Sequence, residues 1–242
     1  MSEPAAAILG VIPARFASTR FPGKPLIDIA GKTMIRRVYE QALKARLDHV
    51  VVATDDERIA QEVKRFGGDV MMTAAHHQSG TDRCAEVAAQ LSGFDVVINI
   101  QGDEPFIDPQ QIGLLAGCFT DPEVQLATLI KKIDTEAEWQ NNNIPKVVVN
   151  TRGKAIYFSR YPIPYLRNIN FADHQFYKHI GIYGYKTNTL MEITQLPASP
   201  LELAESLEQL RWLENGYAIQ TRITDIETLA IDSPEDLLKI NI

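Results

Sequence analysis

Cysteine is nearly missing from this chain: Cys84 and Cys118 are the only two in 242 residues. Both lie in stretches of helical pattern, so neither a disulfide framework nor a cysteine metal site is indicated, and both read as reduced core residues. Long apolar runs are missing as well. None reaches the roughly 18 residues of a membrane span, and residues 1–7 carry no basic region before their short apolar run, so a cytoplasmic protein is expected. There is no surplus of positive charge: 24 Lys and Arg stand against 31 Asp and Glu, a formal net charge of -7. That balance argues against a nucleic-acid or membrane-surface partner, both of which favour broad basic faces. Neither a Gly-x-Gly-x-x-Gly fingerprint nor a Gly-x-x-x-x-Gly-Lys-Ser/Thr loop occurs, which counts against dinucleotide-binding and P-loop proteins. What remains is a chain with 45% hydrophobic residues, enough for a real core in one large α/β domain or a core domain with a smaller lobe.

Against this acidic background, residues 11–26 are basic: Val-Ile-Pro-Ala-Arg-Phe-Ala-Ser-Thr-Arg-Phe-Pro-Gly-Lys-Pro-Leu. An apolar run ends at Pro13, so the segment reads as a buried strand spilling into a loop. Arg15, Arg20 and Lys24 repel one another there, and their clustering points to an anion. Gly23 permits close backbone approach, Pro22 and Pro25 stiffen the loop, and the planar forks of Arg15 and Arg20 suit phosphate or carboxylate.

The pattern then alternates. Met34, Ile35, Val38, Ala42 and Ala45 fall at helical spacing, residues 49–54 form a Val-rich strand, and Asp55 or Asp56 can cap a helix that Gly67 and Gly68 stop. A short strand over 69–72 follows, then a polar loop with His76 and His77, for which no ligand role is assigned, and a helix opened by Thr81, Asp82 and Arg83. The most strand-like run, 95–100, delivers Gln101, Gly102, Asp103 and Glu104 to the sheet edge. Asp108, Pro109 and Gln111 then make a good helix start. This order implies an α/β fold with a mostly parallel, Rossmann-like sheet flanked by helices. From about 125 to 215 the texture turns β-rich, which suggests a second, smaller lobe or a dimer-forming layer within a single domain over 1–242. A helix is expected over 201–215 with Leu203, Leu207 and Leu210 on one face, then a strand over 218–224, another over 229–232, and a last helix capped by Ser233.

In open α/β sheets ligands bind outside the carboxyl ends of the strands, so the basic loop and Asp103 should converge, with Asp232 at another strand end. Carboxylates opposed to cations in one crevice suit Mg²⁺, which keeps several waters and is held by few carboxylates plus substrate phosphates.

Several stretches together resemble the 3-deoxy-manno-octulosonate cytidylyltransferase (CMP-Kdo synthetase) family. They are Ile12-Pro-Ala-Arg-Phe-Ala-Ser-Thr-Arg-Phe-Pro-Gly-Lys-Pro25, Gln78-Ser-Gly-Thr-Asp-Arg83, Asn99-Ile-Gln-Gly-Asp-Glu-Pro105, Tyr157-Phe-Ser-Arg160, His179-Ile-Gly-Ile-Tyr-Gly-Tyr185, Leu207-Glu-Gln-Leu210 and Ile231-Asp-Ser-Pro-Glu-Asp236. The resemblance implies transfer of a cytidylyl group from CTP to a 2-keto-3-deoxy sugar acid for lipopolysaccharide biosynthesis, in a cytoplasmic homodimer that uses Mg²⁺. It implies Arg15, Lys24 and Asp103 as catalytic residues, with Ala14, Arg15, Lys24, Ser79, Gly80, Arg83, Gln101 and Asp103 around the nucleotide. Asp103 and Asp232 would hold the metal, and Arg20, Gln101, Arg160, His179, Tyr183, Glu208 and Gln209 would meet the sugar acid. One stretch departs from the family pattern: Pro164-Tyr-Leu-Arg167 and the loop to Tyr177. Alternatives are a cytidylyltransferase for a related acid, such as 8-amino-Kdo or sialic acid, and a nucleotide-sugar glycosyltransferase, which typically carries an Asp-x-Asp motif where this chain has Gly-Asp-Glu-Pro.

Overall fold

The computed structural model describes residues 6–17, 21–227, 231 and 233–239. Strand β1 (Ile8–Ala14) shows how the sheet is filled from both sides: Leu9 and Val11 pack on one face, Ile12 and Ala14 on the other. A tight hairpin of β2 (Asp28–Ile29) and β3 (Lys32–Thr33) follows. Helix α1 (Met34–Lys44) then sets Ile35, Val38 and Ala42 on the Ile12 face. Strand β4 (His49–Thr54) pairs parallel with β1 and repeats its alternation, Val50 and Val52 against Val51 and Ala53. Asp56 caps α2 (Glu57–Arg65) by accepting from the Arg58 N–H, and β5 (Val70–Met72) extends the parallel run. Helix α3 (Gly80–Gln90) lies on the opposite face, where Cys84 and Val87 meet Leu9 and Val11. Strand β6 (Val96–Asn99) pairs parallel with β1, and α4 (Pro109–Ala116), capped by Asp108, returns to the α1 side. Each fully buried Val, Ile or Leu in these layers stabilises the fold by roughly 1.5–3 kcal/mol.

The β-rich middle continues the same sheet. After β7 (Leu126–Lys132) come α5 (Glu136–Gln140), β8 (Lys146–Val149), β9 (Ala155–Ser159) and the long β10 (Tyr177–Lys186). Helices α6 (Thr187–Ile193), α7 (Pro200–Glu205) and α8 (Gln209–Glu214) precede β11 (Ile219–Ile223). The nine-stranded sheet runs β11-β7-β10-β6-β1-β4-β5, with β8 and β9 attached beside β10. Strand β10 is antiparallel to both β6 and β7, so it is an inversion inside an otherwise parallel path. Its register slips between Ile180 and Tyr183, a bulge that re-aims the side chains around it.

One expected helix is two. Residues 201–215 break at Ser206, whose φ of 52° lies in the left-handed region, and Leu203 is 69% exposed while Leu207 and Leu210 are buried. The reason is long-range: the Arg160 guanidinium donates to the carbonyls of Glu205 and Ser206, satisfying the end of α7 and letting the chain turn. The last helix is a 3-10 turn, Pro234–Lys239. Arg20, Asp232 and most of the strand expected over 229–232 lie outside the described residues. Cys84 and Cys118 are buried and unpaired with each other. Among the described residues no helix is long and apolar enough to cross a membrane.

Candidate active site

The site begins where β1 ends. Gly23 turns the chain with φ 74°, a conformation open to glycine and costly for a residue with a Cβ, and its N–H donates to the Phe16 carbonyl at 2.9 Å. The 3-10 turn Lys24–Leu26 then points Lys24 inward. Its Nζ donates to Asp103 Oδ2 at 2.8 Å and to the Ile231 carbonyl at 2.9 Å. Ile231 is itself buried against Ile29 and Met34, and its N–H donates to the Asp103 carbonyl at 3.0 Å. The Lys24 side chain is 13% exposed and that of Asp103 32%, so this ion pair is partly shielded from the screening that weakens surface pairs.

Asp103 reaches that position because the loop after β6 presses onto the end of β1. A Cβ on Gly102 would sit 2.6 Å from the Pro13 carbonyl oxygen, so only glycine allows the approach. Between these segments lies a cleft of about 330 Å³. Ala14 lines it from the end of β1, Arg15 and Lys24 from the basic loop, Ser79, Gly80 and Arg83 from the start of α3, and Gln101 and Asp103 from the loop after β6. Every described residue expected around the nucleotide therefore faces one cavity. The amino end of α3 opens into it, its turn fixed by a capping box in which Ser79 Oγ accepts from the Asp82 N–H and Asp82 reaches back. Such an end carries partial positive charge and favours an anion.

Two lining residues have further partners. Arg83 is 4% exposed and donates to Asp55 Oδ2 at 2.9 Å and Thr73 Oγ1 at 2.6 Å, which makes it the strut that ties α3 to β4 and β5. His77 also lines the cleft, with Nε2 2.5 Å from Glu86 Oε2. Sequence reasoning gave His77 no role; the available signal was its place just ahead of Gln78, Ser79 and Gly80.

Arg160, His179, Tyr183, Glu208 and Gln209 do not line this cleft; they lie behind it, linked to it through intermediate residues. Gln101 Nε2 donates to the Gly181 carbonyl at 2.9 Å, joining the cleft to the β10 bulge. There Thr128 Oγ1 lies 2.8 Å from the Ile182 carbonyl and 3.0 Å from His179 Nε2. A carbonyl can only accept, so the hydroxyl donates to Ile182 and accepts from His179, which fixes the Nε2-protonated tautomer. Removal from water pushes the His179 pKa down to about 3. Its ring packs edge-on against Phe158 and beside Tyr183, which is 7% exposed. Thr81, next to Gly80, donates to Glu208 Oε2 at 2.8 Å, and burial raises the Glu208 pKa. Gln209 is 4% exposed, and Arg160 uses Nε and one terminal nitrogen on the α7 carbonyls.

A cleft that offers cations, a helix amino end and one carboxylate can hold a polyphosphate and neutralise charge moving along it. The comparisons agree in kind. A family model described as cytidylyltransferase matches residues 9–226. The chain is 59% identical over 240 residues to the 3-deoxy-manno-octulosonate cytidylyltransferase of Cytophaga hutchinsonii, covering 96% of each. To that of Parabacteroides distasonis it is 58% identical, over 96% of this chain and 95% of the relative. Among solved structures, a CMP:2-keto-3-deoxy-manno-octonic acid synthetase complexed with CTP superposes with a TM-score of 0.91 at 48% identity, over 96% of this chain and 95% of the other.

Proposed function

The chain belongs to the 3-deoxy-manno-octulosonate cytidylyltransferase family, and from that premise we propose that it transfers the cytidylyl group of CTP to 3-deoxy-manno-octulosonate (Kdo). The products are pyrophosphate and CMP-Kdo, the activated sugar for lipopolysaccharide biosynthesis. The observation that carries this reading is the Lys24–Asp103 pair, 2.8 Å apart in the cleft that Arg15 and the start of α3 also line.

The anomeric hydroxyl oxygen of Kdo attacks the α-phosphorus of CTP while the bond to the bridging oxygen of pyrophosphate breaks, and the hydroxyl proton leaves to solvent. Arg15 and Lys24 offset the charge that gathers on pyrophosphate, so much of the rate comes from fixed charges aimed at the transition state. Ala14, Ser79, Gly80, Arg83 and Gln101 hold the nucleotide in line, which removes the entropy of bringing the reactants together. Gln101, Arg20, Arg160, His179, Tyr183, Glu208 and Gln209 take the sugar acid. Two of the five N–H donors of Arg160 are used within the protein, and the rest suit a carboxylate.

Asp103 gives hard oxygen donors, and among the described residues no three His, Cys, Asp or Glu side chains gather. A small carboxylate set fits Mg²⁺, which leaves most of its positions to water and phosphate. We assign the ion to Asp103 together with Asp232. When bound it supplies charge neutralisation to the triphosphate.

The whole chain acts as one unit, with 125–215 contributing the sugar side and the contact surface of a homodimer. Support for that surface comes from Tyr161 and Tyr165, which are 72% and 86% exposed in the loop after β9. The activity is tested by supplying CTP, Mg²⁺ and, in turn, Kdo, 8-amino-Kdo and sialic acid while pyrophosphate is measured. Release with Kdo is expected; release with sialic acid alone would move the substrate, and no release with any acid would end the proposal.

A further inference from the structure

Lys146, at the start of β8, is 0% exposed. Its ammonium donates to the Asn141 carbonyl at 3.0 Å and to the Arg160 carbonyl by a shorter contact. Burial lowers its pKa, with Glu205 opposing that effect. A buried ammonium is costly, and a methionine of similar length would fill the same space without that cost, so the charge is kept for the carbonyls it holds.

Arg160 is then held at its carbonyl, its backbone N–H and two of its guanidinium nitrogens. Its N–H donates to Glu205 Oε2 at 2.9 Å, its Nε to the Glu205 carbonyl at 2.8 Å, and a terminal nitrogen to the Ser206 carbonyl at 3.2 Å. Ser159 Oγ adds a bond to Glu205 Oε1 at 2.6 Å. Glu205 ends α7 and Ser206 makes the left-handed break, directly before Glu208 and Gln209. We propose that Lys146 is a positioning residue for the sugar-acid substrate: it pins the end of β9 at Arg160 and, through Glu205, sets the α7–α8 break that carries Glu208 to Thr81. The inference rests on the reading of Arg160 as a sugar-acid contact.

The test uses the full chain in steady-state kinetics with both substrates varied. Lys146→Met keeps the volume and removes the charge; it should raise KM for Kdo about tenfold while KM for CTP stays within about twofold. Arg160→Ala should raise KM for Kdo as well, and the double variant should fall short of additivity, because part of the lysine's effect runs through the arginine side chain it positions. An unchanged KM for Kdo in Lys146→Met, an equal rise for both substrates, or full additivity with Arg160→Ala would overturn the role of Lys146. If Arg160→Ala itself leaves KM for Kdo unchanged, the reading of Arg160 fails and the role of Lys146 with it, an outcome distinct from the others. Should Lys146→Met not fold, Glu205→Gln must give the same split between the substrates, and equal KM changes there would refute the proposal.

Discussion

The Lys24 ammonium bonds partners 79 and 207 residues away in the chain, Asp103 and Ile231. One side chain therefore both closes the fold over the cleft and supplies charge within it. Lys24→Met should lower kcat/KM for CTP by roughly 10²–10³-fold, the cost usual for a lost transition-state charge contact, and initial rates at varied CTP check this. His179 gives a prediction of opposite kind. Its folded pKa, about 3, lies below the ordinary value of 6.5, so between those limits the unfolded chain binds a proton that the folded chain does not. Stability rises with pH across that window and falls on acidification, by about 1 kcal/mol per pH unit for this residue. Thermal melts of His179→Asn between pH 7 and pH 4 should show a shallower acid loss than the parent. Single residues were unevenly legible. Lys24 and Asp103 stood out because unlike charges at strand ends have few structural uses, whereas Arg83 gave no sign that its guanidinium is largely spent on Asp55 and Thr73.

At the level of elements, the α7–α8 break sets the position of Glu208 and Gln209, two of the residues proposed to meet the sugar acid. Ser206 sits at φ 52°, where a β-branched side chain is strained and glycine is not. Ser206→Val should destabilise the protein by about 1–2 kcal/mol and Ser206→Gly should be near neutral, as measured by denaturant unfolding. The break was invisible to periodicity. Leu203, Leu207 and Leu210 are spaced as one apolar stripe, and what divides them is Arg160, 45 and 46 residues away, bonding the Glu205 and Ser206 carbonyls. Caps written locally fared better: Asp108 caps the helix that follows it, and so does Asp56, one of the two candidates, because an N-cap depends on neighbours within a few residues.

For the whole molecule, alternation of strands and helices foretold the parallel half of the sheet, since each βαβ unit has little freedom in hand or direction. The place of β10 was not foretold. Its antiparallel insertion between β6 and β7 depends on pairings such as Tyr183 with Asn99 and with Thr128, between segments far apart in sequence. That insertion brings the β10 bulge to Gln101 and so joins the proposed sugar side to the cleft. If 125–215 forms the contact between copies, equilibrium sedimentation should give twice the chain mass of 27.1 kDa, and Tyr165→Glu should reduce it to one. The chemistry itself hangs on Asp103, whose replacement by Asn changes charge with little change of shape. The decisive measurement is pyrophosphate release by Asp103→Asn with CTP, Mg²⁺ and Kdo. A folded variant slower by at least about 10³-fold is the predicted result, and release at the parent rate would contradict the assignment of the cleft as the place where CTP reacts.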